Sequence, residues 1–145
     1  MKEFLTSLTL LAFTTTFAQT SCKKCDIEKV KIADSLLDNL TFEIVRDFLC
    51  TFDTSCKNNA EFSEWSNEVL FEVLEKSPSI YFKVIAKGQV NSKILLEEVQ
   101  NPIHEFDYQK IYDKIKATNA RATIKSQYLN ALIVAADKEK LKIKK

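Results

Sequence analysis

The positions of the cysteines constrain the fold of this chain more than any other feature of its sequence. All four lie between residues 22 and 56, at Cys22, Cys25, Cys50 and Cys56. They form two close pairs, one on each side of a segment with the hydrophobic period of two helices. If these helices are antiparallel, the start of the first lies beside the end of the second. We therefore predict that the cysteines staple a helical hairpin at the N-terminal end of the fold.

The same hairpin suggests how the cysteines pair. Bridges that cross between the two pairs need no long-range rearrangement of the chain. Pairing of Cys25 with Cys50 and of Cys22 with Cys56 is favoured, and the other two connectivities stay open. Each bridge closes a loop of a few tens of residues, which stabilises the fold by about 3–4 kcal/mol in the chain-entropy model.

The beginning of the chain has the layout of a cleavable secretory signal. The positive charge of Lys2 precedes an apolar run over residues 4–13, and small residues follow up to Ala18. The run is too short to anchor the protein in a bilayer. We predict cleavage after Ala18, so that residues 1–18 form a signal peptide and residues 19–145 form a single domain exported to a periplasm or out of the cell.

A lipoprotein anchored at Cys22 is the alternative to a freely exported protein. The residues before Cys22 lack the aliphatic residue of a lipoprotein signal, and lipidation would leave an odd number of cysteines. An even number of cysteines fits the oxidising route of exported proteins. No later stretch has the roughly 18 apolar residues that a membrane span needs, so no transmembrane span is predicted.

Glycine and proline are scarce, which favours helices over strands. The chain has one Gly and two Pro, whereas sandwiches and barrels need many turns that use these residues. Amphipathic stripes with capping residues predict an all-α fold, a compact bundle or irregular stack of about six to seven helices. A last helix from about Ala120 to Lys138 is apolar on most sides and is expected to pack centrally. The lysine-rich tail, residues 138–145, is expected to fray.

The clearest helix of the sequence, Glu61 to Lys76, has an apolar stripe on one side and a row of glutamates on the other. The row is a possible interaction face for a basic partner or for cations, and its members are Glu61, Glu64, Glu68, Glu72 and Glu75. The alternative is a solvated face that nearby lysines partly neutralise. The candidates for this neutralising role are Lys83, Lys87 and Lys93.

The motif Cys22-Lys23-Lys24-Cys25 suggests an alternative function as a thiol-disulfide redox protein. The motif precedes a helix, and its two lysines favour a thiolate. No strand precedes it, however, as one does in thioredoxin-like proteins. A structural framework pairs the cysteines across the hairpin, whereas a redox site pairs them within the motif. A four-cysteine zinc site is disfavoured because an oxidising route pairs the thiols before a metal arrives.

Most common catalytic motifs are missing from the sequence. His104 is the only histidine, which removes the His-rich zinc hydrolase motifs, and its place in a connector predicts a surface or capping role. A single glycine leaves no phosphate-binding glycine loop and no nucleophile elbow. A hydrolase based on two carboxylates is a third hypothesis, although no pair stands out. No catalytic residue, metal ligand or cofactor is predicted.

These features lead to one functional hypothesis. We predict a non-enzymatic, exported helical protein that binds another macromolecule or serves as an accessory factor. The formal net charge of +1 gives no global attraction to nucleic acid, so no nucleic-acid partner is expected. The chemistry of the partner has to be inferred from the surface that the fold presents.

Overall fold

Seven α-helices make up the part of the chain that the computed structural model describes, residues 22–145. They are α1 (Ile27–Ser35), α2 (Phe42–Leu49), α3 (Ala60–Lys76), α4 (Pro78–Lys87), α5 (Ser92–Gln100), α6 (Tyr108–Ala117) and α7 (Ala122–Lys138). Two short 3₁₀ turns, Leu37–Asn39 and Thr54–Asn58, follow α1 and α2. The all-α prediction is confirmed for these residues, whereas the predicted signal peptide, residues 1–18, lies outside them. None of the described helices has the length and apolar content to cross a membrane.

Side-chain caps determine where most of the helices begin. A side-chain oxygen accepts a hydrogen bond from the first turn of five helices, at Asp26, Thr41, Asn59, Asn91 and Asp107. Such bonds satisfy backbone N–H groups that the helix cannot pair by itself. Ser77 precedes α4, but its side chain makes no capping bond. Gly88 ends α4 at a φ of 68°, a left-handed conformation that favours glycine.

The fold is an irregular bundle in which α3 is the central helix. α3 contacts α1, α4, α5 and α6, and α1 packs on α2 as the predicted hairpin. The middle of α3 is fully buried, including Leu70, Phe71 and Leu74. This packing covers α3 on most sides and leaves only one narrow side for polar residues.

The expectation that α7 packs centrally was wrong. α7 packs on α5 and α6 through one face, which contains Ala131, Ala135 and Ala136, and Val134 on another side is 42% exposed. Small alanine side chains let neighbouring helices approach closely. Alanine also has little apolar surface to bury, so a helix rich in alanine tolerates an open side.

The tail that was predicted to fray instead packs on α6. Lys140 adopts a left-handed φ of 61° and turns the chain back after α7. The side chain of Gln109 then exchanges two hydrogen bonds with the backbone of Lys144, at 2.7 Å and 3.1 Å. Ile143 packs against the hydrophobic core. The tail leaves the helix where the sequence indicated, but contacts with α6 hold its end.

Candidate functional site

Both disulfides cross between the two cysteine pairs, although in a different order from the favoured one. Cys22 is bonded to Cys50 and Cys25 to Cys56, with Cα–Cα distances of 5.9 Å and 5.5 Å. The stapled hairpin is therefore confirmed. The favoured pairing of Cys25 with Cys50 and of Cys22 with Cys56 was wrong.

The path of the chain after α2 explains the pairing. The chain does not continue along the helix axis but folds into a 3₁₀ turn, in which Cys56 is only 4% exposed. The backbone N–H of Cys25 donates to the carbonyl oxygen of Thr51 at 2.9 Å, which places Cys25 against this turn. Cys22 is then left beside Cys50 at the end of α2. The sequence-based prediction treated the hairpin as two straight helices and did not include this turn, so it gave the other pairing.

Pairing across the hairpin is the arrangement expected of a structural framework. Cys22 and Cys25 are not bonded to each other, so the Cys-Lys-Lys-Cys motif does not form the disulfide of a redox motif. With Cys22 in a disulfide, its sulfur is not free to carry a lipid. All four thiols are paired, and no three His, Cys, Asp or Glu side chains within residues 22–145 are grouped to hold a metal ion.

A row of carboxylates runs along the exposed side of α3 and continues onto α1. We define the acidic surface as the carboxylates of Asp34, Glu61, Glu64, Glu68 and Glu72. Within residues 22–145, none of these five side chains makes a salt bridge. Glu61, Glu64 and Glu68 are exposed, and the other two are half-buried. The structure therefore brings together four of the five predicted glutamates and adds one aspartate.

Glu75, the fifth predicted glutamate, does not belong to this surface. Its carboxylate pairs with Lys110 of α6 at 2.6 Å. The neutralising lysine thus comes from α6, which packs along α3. Lys83, Lys87 and Lys93, the lysines proposed from the sequence, form no salt bridge within the described residues. They were proposed because they are close to α3 in sequence, which does not bring them close to its glutamates in space.

Asp34 joins the acidic surface through the packing of α1 on α3. The indole Nε1 of Trp65 donates a hydrogen bond to Oδ2 of Asp34 at 3.2 Å. This bond orients the aspartate across the gap between the two helices. Sequence reasoning missed Asp34 because only the contact between the helices brings it near the glutamates.

The acidic surface carries uncompensated negative charge. Burial raises the pKa of the Glu72 carboxyl above its usual range, and the charges of Asp34 and Glu68 raise it further. The charge of Lys76 lowers this pKa, but its Nζ is engaged with Asp38 at 2.7 Å. A carboxyl whose ionised form is disfavoured by its neighbours indicates a local excess of negative charge. Such a surface attracts positively charged groups.

Replacing Glu72 by Gln is expected to raise the free energy of unfolding at pH 7 by about 0.2–0.5 kcal/mol. The pKa of Glu72 is higher in the folded than in the unfolded chain, so its ionised form costs stability. As the pH rises from the pKa of Glu72 in the unfolded chain through its pKa in the folded chain, the wild-type protein therefore loses stability. Below the unfolded pKa, both states hold the proton and the gain disappears.

Urea unfolding at pH 7 and at about pH 3 checks this expectation, since the lower pH lies below the ordinary pKa of glutamate. Glu105→Gln is the matched control, because Glu105 is an exposed carboxylate outside the acidic surface. The control is expected to change stability by less than the Glu72 variant at pH 7. A Glu72→Gln variant that is less stable than wild type at pH 7 would contradict the electrostatic argument.

A pocket of about 210 Å³ beside the Cys22–Cys50 disulfide contains the side chains of Asp26 and Asp47. Burial raises the pKa of Asp47, but hydrogen bonds from Arg46 and Lys29 outweigh this effect and lower it overall. A glycoside hydrolase needs one carboxyl that keeps its proton as the general acid. The lowered pKa of Asp47 does not suit it for this role. Its carboxylate is paired with Lys29 and Arg46, which also disfavours it as the nucleophile, so the pocket gives no support to the carboxylate hydrolase hypothesis.

Asn67 is a buried polar residue that links α3 to the chain after α5. Its Oδ1 accepts a hydrogen bond from the N–H of Ile103 at 3.0 Å, and its Nδ2 donates to Oε2 of Glu98 at 3.1 Å. Burial raises the pKa of Glu98. The nearby His104 is exposed on the same connector, which confirms its predicted surface position. These bonds hold the connector on α3 and account for the buried amide.

Comparison with family models, curated proteins and solved structures found no match to this chain. Two features of the described residues remain as candidate functional sites. The first is the acidic surface on α1 and α3, and the second is the pocket beside the Cys22–Cys50 disulfide. The function is therefore inferred from the chemistry of these two sites.

Proposed function

We propose that this protein is an exported, disulfide-stapled helical module that binds a positively charged macromolecular partner through the acidic surface. One observation carries the proposal. Five carboxylates share one surface without a salt bridge in residues 22–145, and burial together with the charges of Asp34 and Glu68 raises the pKa of Glu72. A lysine- or arginine-rich segment of a partner protein supplies the missing positive charge. Binding then removes a repulsion that the isolated fold retains.

The shape of the surface favours an extended partner. Glu61, Glu64, Glu68 and Glu72 follow one another at intervals of three or four residues along α3, so they form a line along the helix. Exposed ion pairs contribute about 0.2–1 kcal/mol each, so several are needed for measurable affinity. Such contacts are screened by salt over a Debye length of about 8–10 Å. The interaction is therefore expected to be salt-sensitive and to associate rapidly.

Export is part of the proposal because it accounts for the two disulfide bonds. Two disulfides in a small domain are typical of an oxidising compartment. The signal-like residues 1–18 offer the route. N-terminal sequencing of the protein recovered outside the cytoplasm tests this part, and an N-terminus other than Gln19 would contradict the proposed cleavage.

Titration calorimetry with a lysine-rich peptide tests the binding surface. The test variant combines Glu64→Gln, Glu68→Gln and Glu72→Gln. We expect it to bind at least about tenfold more weakly than wild type, since three pairs at about 0.5 kcal/mol each correspond to tenfold. Wild-type binding is also expected to weaken as the salt concentration rises.

The matched control has the same net charge but keeps the acidic surface. It combines Glu28→Gln, Glu43→Gln and Glu105→Gln, three exposed carboxylates on α1, on α2 and in the connector before α6. It is expected to bind within about threefold of wild type. Equal loss in both variants would mean that net charge alone attracts the peptide, and the proposed site would be wrong.

A further inference from the structure

The two disulfides have different surroundings. Cys56 is 4% exposed within the hydrophobic core, and the half-buried Cys25 packs against that core. Cys22 and Cys50 are both half-buried, and both line the pocket of about 210 Å³ at the end of the hairpin. This pocket has room for several molecules of the size of water, at ~30 Å³ each, and so for a small organic thiol. Within residues 22–145, the Cys22–Cys50 bond borders this open pocket, and Cys25 and Cys56 do not line it.

The charged groups of this pocket largely balance. Lys29 pairs with Asp47 at 3.1 Å, and Lys23 lies 3.9 Å from Asp26. Thr51 completes the polar lining. A small zwitterionic molecule finds both signs of charge within the pocket, and neither sign excludes it.

Lys24 makes the two sulfur atoms of this disulfide unequal. Its Nζ lies 3.7 Å from Sγ of Cys22 and is held there by a hydrogen bond to the carbonyl oxygen of Cys50, at 2.7 Å. A cation beside a sulfur stabilises the thiolate and makes it a better leaving group. Sγ of Cys50, in contrast, lies 3.2 Å from the carbonyl oxygen of Asp47, an acceptor suited to a protonated thiol.

We propose that the Cys22–Cys50 disulfide is an exchange site for a low-molecular-weight thiol, and that Cys25–Cys56 is purely structural. The thiolate of the small molecule attacks Sγ of Cys50 and forms a mixed disulfide with it. The Cys22–Cys50 bond breaks, and Cys22 leaves with the electron pair as a thiolate beside Lys24.

A second molecule of the thiol completes the reduction. Its thiolate attacks the small-molecule sulfur of the mixed disulfide and releases Cys50, which takes up a proton. Two thiols are thereby oxidised to their own disulfide, and the protein disulfide gains two electrons. The hairpin stays closed throughout because Cys25–Cys56 still links it. This inference does not depend on the acidic surface or on its partner.

Timed alkylation of the folded, fully oxidised protein in free cysteine tests the proposal, with peptide mass mapping of each cysteine. Cys22–Cys50 is expected to be reduced at least about tenfold faster than Cys25–Cys56. The transient cysteine adduct is expected on Cys50. Reduction of both bonds at one rate, an adduct on Cys22, or no reduction in the folded protein would each overturn the proposal.

Variants of Lys24 isolate the role of its charge. Lys24→Gln is expected to slow the reduction of Cys22–Cys50 about three- to tenfold, and Lys24→Arg to stay within about twofold of wild type. Lys31→Gln is the matched control, since Lys31 is an exposed lysine on α1 outside the pocket. Thermal unfolding of each oxidised variant verifies that the fold is kept. Equal rates for Lys24→Gln and Lys31→Gln would overturn the assigned role of Lys24.

Discussion

Replacing Cys25 and Cys56 together by alanine is expected to lower the free energy of unfolding by about 3–4 kcal/mol. Because Cys22–Cys50 already joins the two ends of the hairpin, this bond closes only the short ring through residues 22–25 and 50–56, which is worth about 2.5–3 kcal/mol in the chain-entropy model. The remainder comes from Cys56, whose side chain lies in the core and contacts other buried groups. A loss of this size is a large share of the 5–15 kcal/mol that stabilises a typical domain.

The same replacement of Cys22 and Cys50 is the natural comparison. With Cys25–Cys56 kept, their removal opens the same short ring, so the loop term is the same, but neither side chain is fully buried. Urea unfolding of both variants, followed by circular dichroism, measures the difference. A larger loss from the Cys22/Cys50 variant would contradict the assignment of Cys25–Cys56 as the core disulfide.

Replacing Phe71 by alanine is expected to lower the free energy of unfolding by about 3–5 kcal/mol. Phe71 lies in the middle of α3 and is fully buried. Its ring stacks on that of Phe106, with centroids 4.1 Å apart, and lies roughly perpendicular to that of Tyr108. Truncation removes these contacts and leaves a cavity at the centre of the bundle, which the neighbouring helices fill only in part.

Val134→Ala on α7 provides the contrast for the central position of α3. Val134 is 42% exposed, so its truncation is expected to cost less than about 1 kcal/mol. Thermal or urea unfolding of the two variants tests whether α3 or α7 is the central helix. A larger loss from Val134→Ala than from Phe71→Ala would mean that α7, and not α3, is the centre of the fold.

The helices and their ends were readable from the sequence because the interactions that define them are local. Asp107 caps α6 by accepting a hydrogen bond from the backbone N–H of Lys110, only three residues away. Gly88 ends α4 through its own backbone conformation. The predicted start of α3 at Glu61 differs from the observed start, Ala60, by one residue, which is within the usual uncertainty of helix ends.

The candidate binding site was readable only in part. The glutamates of α3 are visible as a row because helical spacing places them on one face. Asp34 is on another helix and enters the row through packing and the bond from Trp65. Glu75 leaves it through a pairing with Lys110, which is far away in sequence. The charge balance of a surface depends on such distant pairs, which a local pattern does not contain.

By itself, the sequence determined the helical class, the helix ends and the closure of the N-terminal hairpin by its cysteines. These properties follow from hydrophobic period, capping residues and spacing, all of which act within a few turns of chain. Only the tertiary structure decided which cysteine pairs with which, which helix lies at the centre and how the acidic surface is composed. Each of these depends on where the chain turns between helices and on contacts between distant residues, and many arrangements of the same helices satisfy the local rules.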